Sequence, residues 1–205
     1  KAIEGYGPSG WTAVKALATI PSIEILAVAG GGSGGNEVAG PSGGGGGGGA
    51  GGVGIITATN LILGATITAS VGAGGATIGG GVHASGNDGT NTTLDITGVD
   101  TPYSFTFAGG GGGGGSPNQG RSGGSSGGGS NQTGTADPAT QPTQNPNVPS
   151  NYSFTQYGNI GGNAHPAFDG GGGGGAGGVG GNASTSVGGV GGDGAAFPSF
   201  PAPVI

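Results

Sequence analysis

Seven consecutive glycines, Gly43–Gly49, restrict this 205-residue chain more than anything else in it. The run recurs as Gly109–Gly115 and, one residue shorter, as Gly170–Gly175. Glycine loses more conformational freedom on folding than any other residue, and fixing one costs about 1–2 kcal/mol. A run has no side chain to bury, so only its N–H and C=O groups can offset that cost. Two arrangements satisfy this. A flexible spacer leaves the run solvated, and then serine is expected throughout, as between Gly123 and Ser130. A polyglycine II bundle orders the run as an extended helix of three residues per turn, rising about 3.1 Å per residue. Its backbone groups then bond to neighbouring runs at about 1 kcal/mol each, and the absence of Cβ lets the chains approach. Pure runs placed directly after strand-like segments favour the bundle.

Composition removes the competing classes. Collagen needs glycine at every third position and abundant proline, whereas the 61 glycines here come in runs beside 13 prolines. No cysteine is present for a disulfide scaffold. No stretch approaches the roughly 20 apolar residues of a membrane span. Formal net charge is -6, and the basic side chains are Lys1, Lys15 and Arg121. Three dispersed cations cannot neutralise a phosphate backbone, so neither nucleic acid nor membrane insertion is expected. Neither lysine follows a glycine directly as a phosphate-binding loop requires. The absence of methionine suggests a processed product or a segment of a longer polypeptide, with any export signal upstream.

Short β-branched and aromatic stretches at 23–28, 55–59, 61–63, 66–71, 92–97, 103–108 and 152–157 read as strands. Trp11, Val14, Leu17 and Ala18 fall at helical spacing, so a short helix or an extended segment is expected in a lead-in over 1–21. Residues 22–205 form one glycine-rich domain, in which the Ser-, Asn-, Gln- and Pro-rich stretch 116–150 reads as a long polar loop. Two echoes stand out. Gly44–Gly54 and Gly170–Gly180 share the same eleven letters, GGGGGGAGGVG, and Tyr103-Ser104-Phe105-Thr106 recurs as Tyr152-Ser153-Phe154-Thr155. Repeated segments suggest repeated roles. The expected fold is all-β: short antiparallel strands, sandwich-like, beside a bundle of polyglycine II helices.

Chemical motifs are weak. G-x-S-x-G patterns at Ser33, Ser122 and Ser126 are expected from composition, and none opens a helix. His83 and His165 could each be drawn into a triad only on paper. Gly188–Ala196 matches a calcium-binding nonapeptide without a neighbouring copy. Asp88, Asp95 and Asp100 read as turn residues, and Asp169 as a cap before a glycine run. Asn91, Asn131, Asn151 and Asn182 lie in N-x-S/T sequons of little weight in so polar a chain. No catalytic, metal or cofactor residues are expected. Tyr152, Tyr157, His165 and Phe168 cluster in sequence, either as an aromatic recognition surface or as lining for the glycine layer. Arg121, Tyr152, Tyr157 and His165 are the candidate receptor-binding residues.

The stretch Ser22–Gly35, with Ile23-Glu24-Ile25-Leu26-Ala27-Val28-Ala29 running into glycines, resembles the glycine-rich domain of bacteriophage tail-fibre and tail-tip proteins. So does the later Ser70-Val71-Gly72-Ala73-Gly74-Gly75. The family's strands end in "VVAGGGGGG" and "VGAGG". The likeness covers 22–115 well and 160–195 loosely. Ligand-binding regions of anaplastic-lymphoma-kinase-type receptors are the eukaryotic alternative. The resemblance implies a rigid polyglycine platform whose distal loops read a host cell surface. The protein is then virion-associated or extracellular, partnered by a protein or glycan receptor and by copies of itself, as a trimer in a fibre. Two further readings are a structural subunit of an extracellular filament without a receptor, and an ice-binding face. The second would need Thr-x-Thr ladders such as Thr57/Thr59 and Thr66/Thr68, which lie in strands.

Overall fold

The computed structural model describes residues 2–7, 10–15, 19–37, 43–80, 83–131, 134–166 and 169–200. The strands are β1 (Ala2–Gly7), β2 (Gly10–Lys15), β3 (Thr19–Val28), β4 (Val53–Ile62), β5 (Thr66–Ser70), β6 (Thr92–Thr97), β7 (Tyr103–Phe107) and β8 (Tyr152–Tyr157). A single 3-10 turn spans Gln141–Thr143 among the described residues. The chain is all-β, as expected. β1 and β2 form an antiparallel hairpin with Tyr6 opposite Trp11. The helix considered for the lead-in is therefore absent at Trp11 and Val14; Leu17 and Ala18 lie outside the described residues. Glycine at 5, 7 and 10 disfavours helix and suits a hairpin.

Two three-stranded antiparallel sheets, ordered β3-β4-β8 and β5-β6-β7, make a small sandwich. β4 joins the two stretches expected at 55–59 and 61–63 into one strand. Asn60 turns to a φ of 55° between them, and the ladder resumes at Leu61 opposite Ile20. Alternation along β4 and β6 puts Ile56, Ala58, Leu94 and Ile96 inside. The YSFT echo has a structural meaning. β7 and β8 are edge strands of different sheets, and their aromatic rings meet across the core. Phe105 lies edge-on to Tyr152 with centroids 5.5 Å apart, and 5.2 Å from Phe154.

Beyond the sandwich the pairing continues without a break but with a new period. In the β3–β4 ladder Val28 faces Val53. The N–H groups of Ala29, Gly32 and Gly35 then donate to the carbonyls of Gly52, Gly49 and Gly46, at 3.0, 2.9 and 2.9 Å. Bonded positions now recur every third residue. The β6–β7 ladder continues likewise: Thr92 faces Phe107, then the N–H groups of Gly89 and Gly86 donate to Gly110 and Gly113 at 2.9 and 2.7 Å.

The run 109–115 sits at the centre of this lattice, wholly buried, and every backbone group in it is bonded. The N–H groups of Gly110, Gly111, Gly113 and Gly114 donate to the carbonyls of Gly30, Ser125, Ser33 and Gly128. Those of Gly109, Gly112 and Gly115 donate to the side chains of Asn91, Asp88 and Ser85. The seven carbonyls accept, in order, from the N–H groups of Gly124, Gly89, Gly49, Arg121, Gly86, Gly46 and Asn118. Asp88 and Asn91, read from sequence as a turn residue and a sequon, thus serve as partners of buried glycine amides.

Two expectations are refined. Part of the polar stretch 116–150 lies inside the lattice. Residues 123–131 are buried within the lattice, and Ser125, Ser126, Ser130 and Gln141 are buried with them. Serine is tolerated there because its hydroxyl bonds the neighbouring backbone: Ser125 Oγ donates to Gly175 O, and Ser126 Oγ accepts from Gly161 N–H. The two eleven-letter echoes do not play equal roles. They run side by side, with Gly47 and Ala50 donating to Gly171 and Gly174. The first then enters β4 at Val53, while the second bends at 176–178.

A Cβ on Gly113 would overlap the Gly46 carbonyl, whereas one on Gly79 would meet open space. Gly113→Ala is expected to cost about 3 kcal/mol or more and Gly79→Ala less than about 0.5 kcal/mol, read by chemical denaturation. Equal midpoints for the two variants would contradict the packed lattice.

Candidate functional site

The lattice segments alternate in direction, so their reversals collect at two ends. One end carries the sandwich. The other carries the reversals after Asn36, after Ile78, at 116–119, after Asn131, after His165 and at 184–187. The pairings place these together: Asn36 bonds Ala84, Gly44 bonds Asn131, Gly134 bonds Ala164, and Asn163 bonds Ala183. Glycine runs break here into polar residues, because the chain must turn and needs side chains to hold the turn.

Glu37 ties three of these loops. Its Oε1 lies 2.9 Å from His83 Nδ1, and its Oε2 accepts the Ser116 N–H at 3.0 Å. The Glu37 side chain is 10% exposed and the His83 side chain 53%. Asn36 Nδ2 donates to Gly79 O at 2.7 Å, and Ser130 Oγ donates to Asn118 O at 2.6 Å. Asn163 Oδ1 accepts from Ala136 N–H, while Asn182 Oδ1 accepts from Asn163 N–H. The His165 N–H donates to Asp169 O at 3.0 Å. Pro117, Asn118, Gln119, Pro166, Thr185 and Ser186 are exposed around this frame. The result is a polar end face with fixed backbone and projecting side chains.

The four predicted recognition residues do not meet. His165 lies at this end. Arg121 lies on the lattice flank, with Nη2 2.7 Å from Asp88 Oδ2. Tyr157 ends β8 against the lattice and packs its ring edge-on to Phe197 at 5.3 Å. Tyr152 is a correction: it is 5% exposed, belongs to the sandwich core, and donates its hydroxyl to Thr101 O. Its aromatic surface is spent on Phe105 and Tyr103, so it presents nothing to a receptor. Phe168 lies outside the described residues. Sequence reasoning missed Glu37, Asn118 and Asn163. Their signal was positional, since each sits where a glycine-rich segment turns.

Two serines of the G-x-S-x-G patterns bond lattice backbone: Ser33 Oγ accepts the Asn87 N–H and Ser126 Oγ the Gly161 N–H. Asn131 is 1% exposed and so offers no glycan acceptor. Among the described residues no group of three His, Asp or Glu is placed to hold a metal ion, and no helix is long and apolar enough to cross a membrane.

A family model described as a glycine-rich domain matches residues 7–199. The chain belongs to this glycine-rich domain family. The match takes in the sandwich from β3 onward, the lattice and the loop-bearing end alike. No curated protein and no solved structure compared with the chain matches it.

Replacing Glu37 by alanine removes the acceptor of a partly buried amide and the partner of His83. Hydrogen exchange at Ser116 should accelerate by the equivalent of about 1–3 kcal/mol, with Gly111 in the lattice centre unchanged. Exchange at Ser116 as slow as in the parent chain would refute the role given to Glu37.

Proposed function

We propose that the glycine lattice is of the polyglycine II type and serves as a rigid platform. Its loop-bearing end is the surface by which a tail-fibre or adhesin-type protein of a virion binds a host receptor. The observation that carries this reading is the collection of the lattice reversals at one end, polar and stitched together by Asn36, Glu37, Ser130 and Asn163. Recognition residues concentrate on loops held by rigid scaffolds, and a backbone fixed in advance lowers the ordering cost of binding. Hydroxyl, amide and imidazole groups suit a glycan or a polar protein surface. His165 remains a contact residue in this reading, and Arg121 a flanking one.

The test uses labelled protein on intact cells of candidate hosts. Asn118→Lys with Thr185→Lys, both at exposed positions of the loop end, should reduce cell binding at least tenfold, about 1.4 kcal/mol, without changing Tm. Leu63→Lys with Thr101→Lys, exposed at the sandwich end, should leave binding intact. Loss of binding only in the second pair would overturn the proposal.

One observation favours the filament reading. β5 is exposed along its whole length and forms a sheet edge, with Val71 beyond it 80% exposed. Such an edge can template pairing with another copy. If copies assemble there, Thr68→Pro should abolish a concentration-dependent increase in sedimentation coefficient.

A further inference from the structure

The segment 169–176 is bonded to five neighbours. Gly47 and Ala50 donate to Gly171 and Gly174 from one side; Gly171 and Gly174 donate to Gly129 and Ser126 on the next. Gly162 donates to Gly172, Gly172 to Gly181, and Gly189 and Gly192 to Gly170 and Gly173. A helix of three residues per turn projects one N–H and one C=O per residue, hence groups in six directions. The sixth direction holds the N–H groups of Gly170 and Gly173, which donate to nothing among the described residues. It opens on a groove of about 900 Å³ between the segments 43–52 and 187–195. On its walls the carbonyls of Gly45, Gly48, Gly189 and Gly192 likewise accept nothing among the described residues. At one end Asp169 Oδ2 is buried without a partner; at the other stands the Phe197 ring.

The third wall carries an independent sign. At most lattice glycines a Cβ would overlap a neighbouring backbone; Gly31, Gly34 and Gly74, with nearest atoms 3.6–3.7 Å away, are exceptions outside the groove. Gly191 and Gly194 line the groove, yet a Cβ on either would touch nothing within 4 Å. At Gly188, the third in this series, the nearest atom would be 3.7 Å away. No contact among the described residues demands glycine at these three positions. Close approach of another backbone does.

We propose that the groove is an unfilled lattice position that receives an extended glycine-rich segment of a separate partner chain. The occupant's N–H groups would meet the carbonyls of Gly45, Gly48, Gly189 and Gly192, and its carbonyls would meet the N–H groups of Gly170 and Gly173. About eight residues, roughly 25 Å at the rise of such a helix, fill the groove. This is the intramolecular interface of the lattice continued by one more member. It is separate from the receptor surface at the loop end, so either proposal can fail alone.

The probe is octaglycine carrying a short lysine tail for solubility, titrated into the whole chain by calorimetry and by amide NMR. One-to-one saturable binding is expected, with the amide signals of Gly170 and Gly173 shifting. A peptide with the same tail but alanine at every third glycine should bind at least tenfold more weakly. Gly191→Leu fills the groove from a position where its side chain has room, so it should abolish binding with Tm unchanged. Gly80→Leu, where a Cβ also meets open space, should bind like the parent. Absence of binding, equal binding of the alanine peptide, or binding unaffected by Gly191→Leu overturns the proposal. So does a concentration-dependent dimer that Gly191→Leu dissolves, because the occupant would then be a second copy of this chain.

Discussion

Everything in this protein depends on backbone hydrogen bonds between chains that lack a Cβ. In most domains side chains fill the interior and the backbone bonds within its own helix or sheet. Here the relation is inverted over much of the molecule. The interior at 109–115, 123–131 and 171–175 is backbone, and its cohesion is the set of N–H to carbonyl contacts near 2.9 Å that link each segment to its neighbours. Each bond contributes only about 1 kcal/mol net, so the arrangement holds only because nearly every buried group has a partner. The complete bonding of Gly109–Gly115 is the clearest case.

That inversion decides which residues can appear where. Side chains occur inside the lattice only if they act as additional backbone. At its flank Ser85, Asp88 and Asn91 recur every third residue and satisfy buried amides that no neighbouring carbonyl reaches. Ser125 and Ser126 bond the carbonyl and amide groups beside them. Gln141, fully buried, accepts the Ala108 N–H and donates to Gln156, joining lattice to sandwich. Polar side chains that do not bond the lattice backbone, the proposed recognition residues among them, collect at the reversals, where the three-residue repeat stops.

The fold class was legible because strand signals and glycine runs differ so sharply in composition. β6, β7 and β8 fall where β-branched and aromatic residues concentrate, and the YSFT echo, read as a repeated role, corresponds to two edge strands. The burial of 123–131 was not legible because diluted serine is the mark of a flexible linker; whether a serine hydroxyl finds a backbone partner depends on neighbours far away in sequence. Tyr152 was misplaced for a similar reason. Proximity to Tyr157 and His165 in the chain suggested a cluster, but strand alternation and the facing Phe105 drew it into the core. The loop-bearing end could not be located from sequence, since that requires knowing which segments run antiparallel.

The unbroken passage from β3 and β4 into the lattice answers a problem of information. A run of identical glycines is degenerate: sliding it by one residue changes no side chain and breaks no bond that cannot be remade one step along. Such a run cannot specify its own alignment. In β4 the same slip would turn Ile56 and Ala58 out of the core and Thr57 into it. Because Val28 opposite Val53 is followed directly by Ala29 opposite Gly52, the alignment set by the apolar strands is transmitted down the glycines. The sandwich is therefore the reading frame of the lattice, and the small hydrophobic core supplies the uniqueness that the much larger glycine core cannot encode.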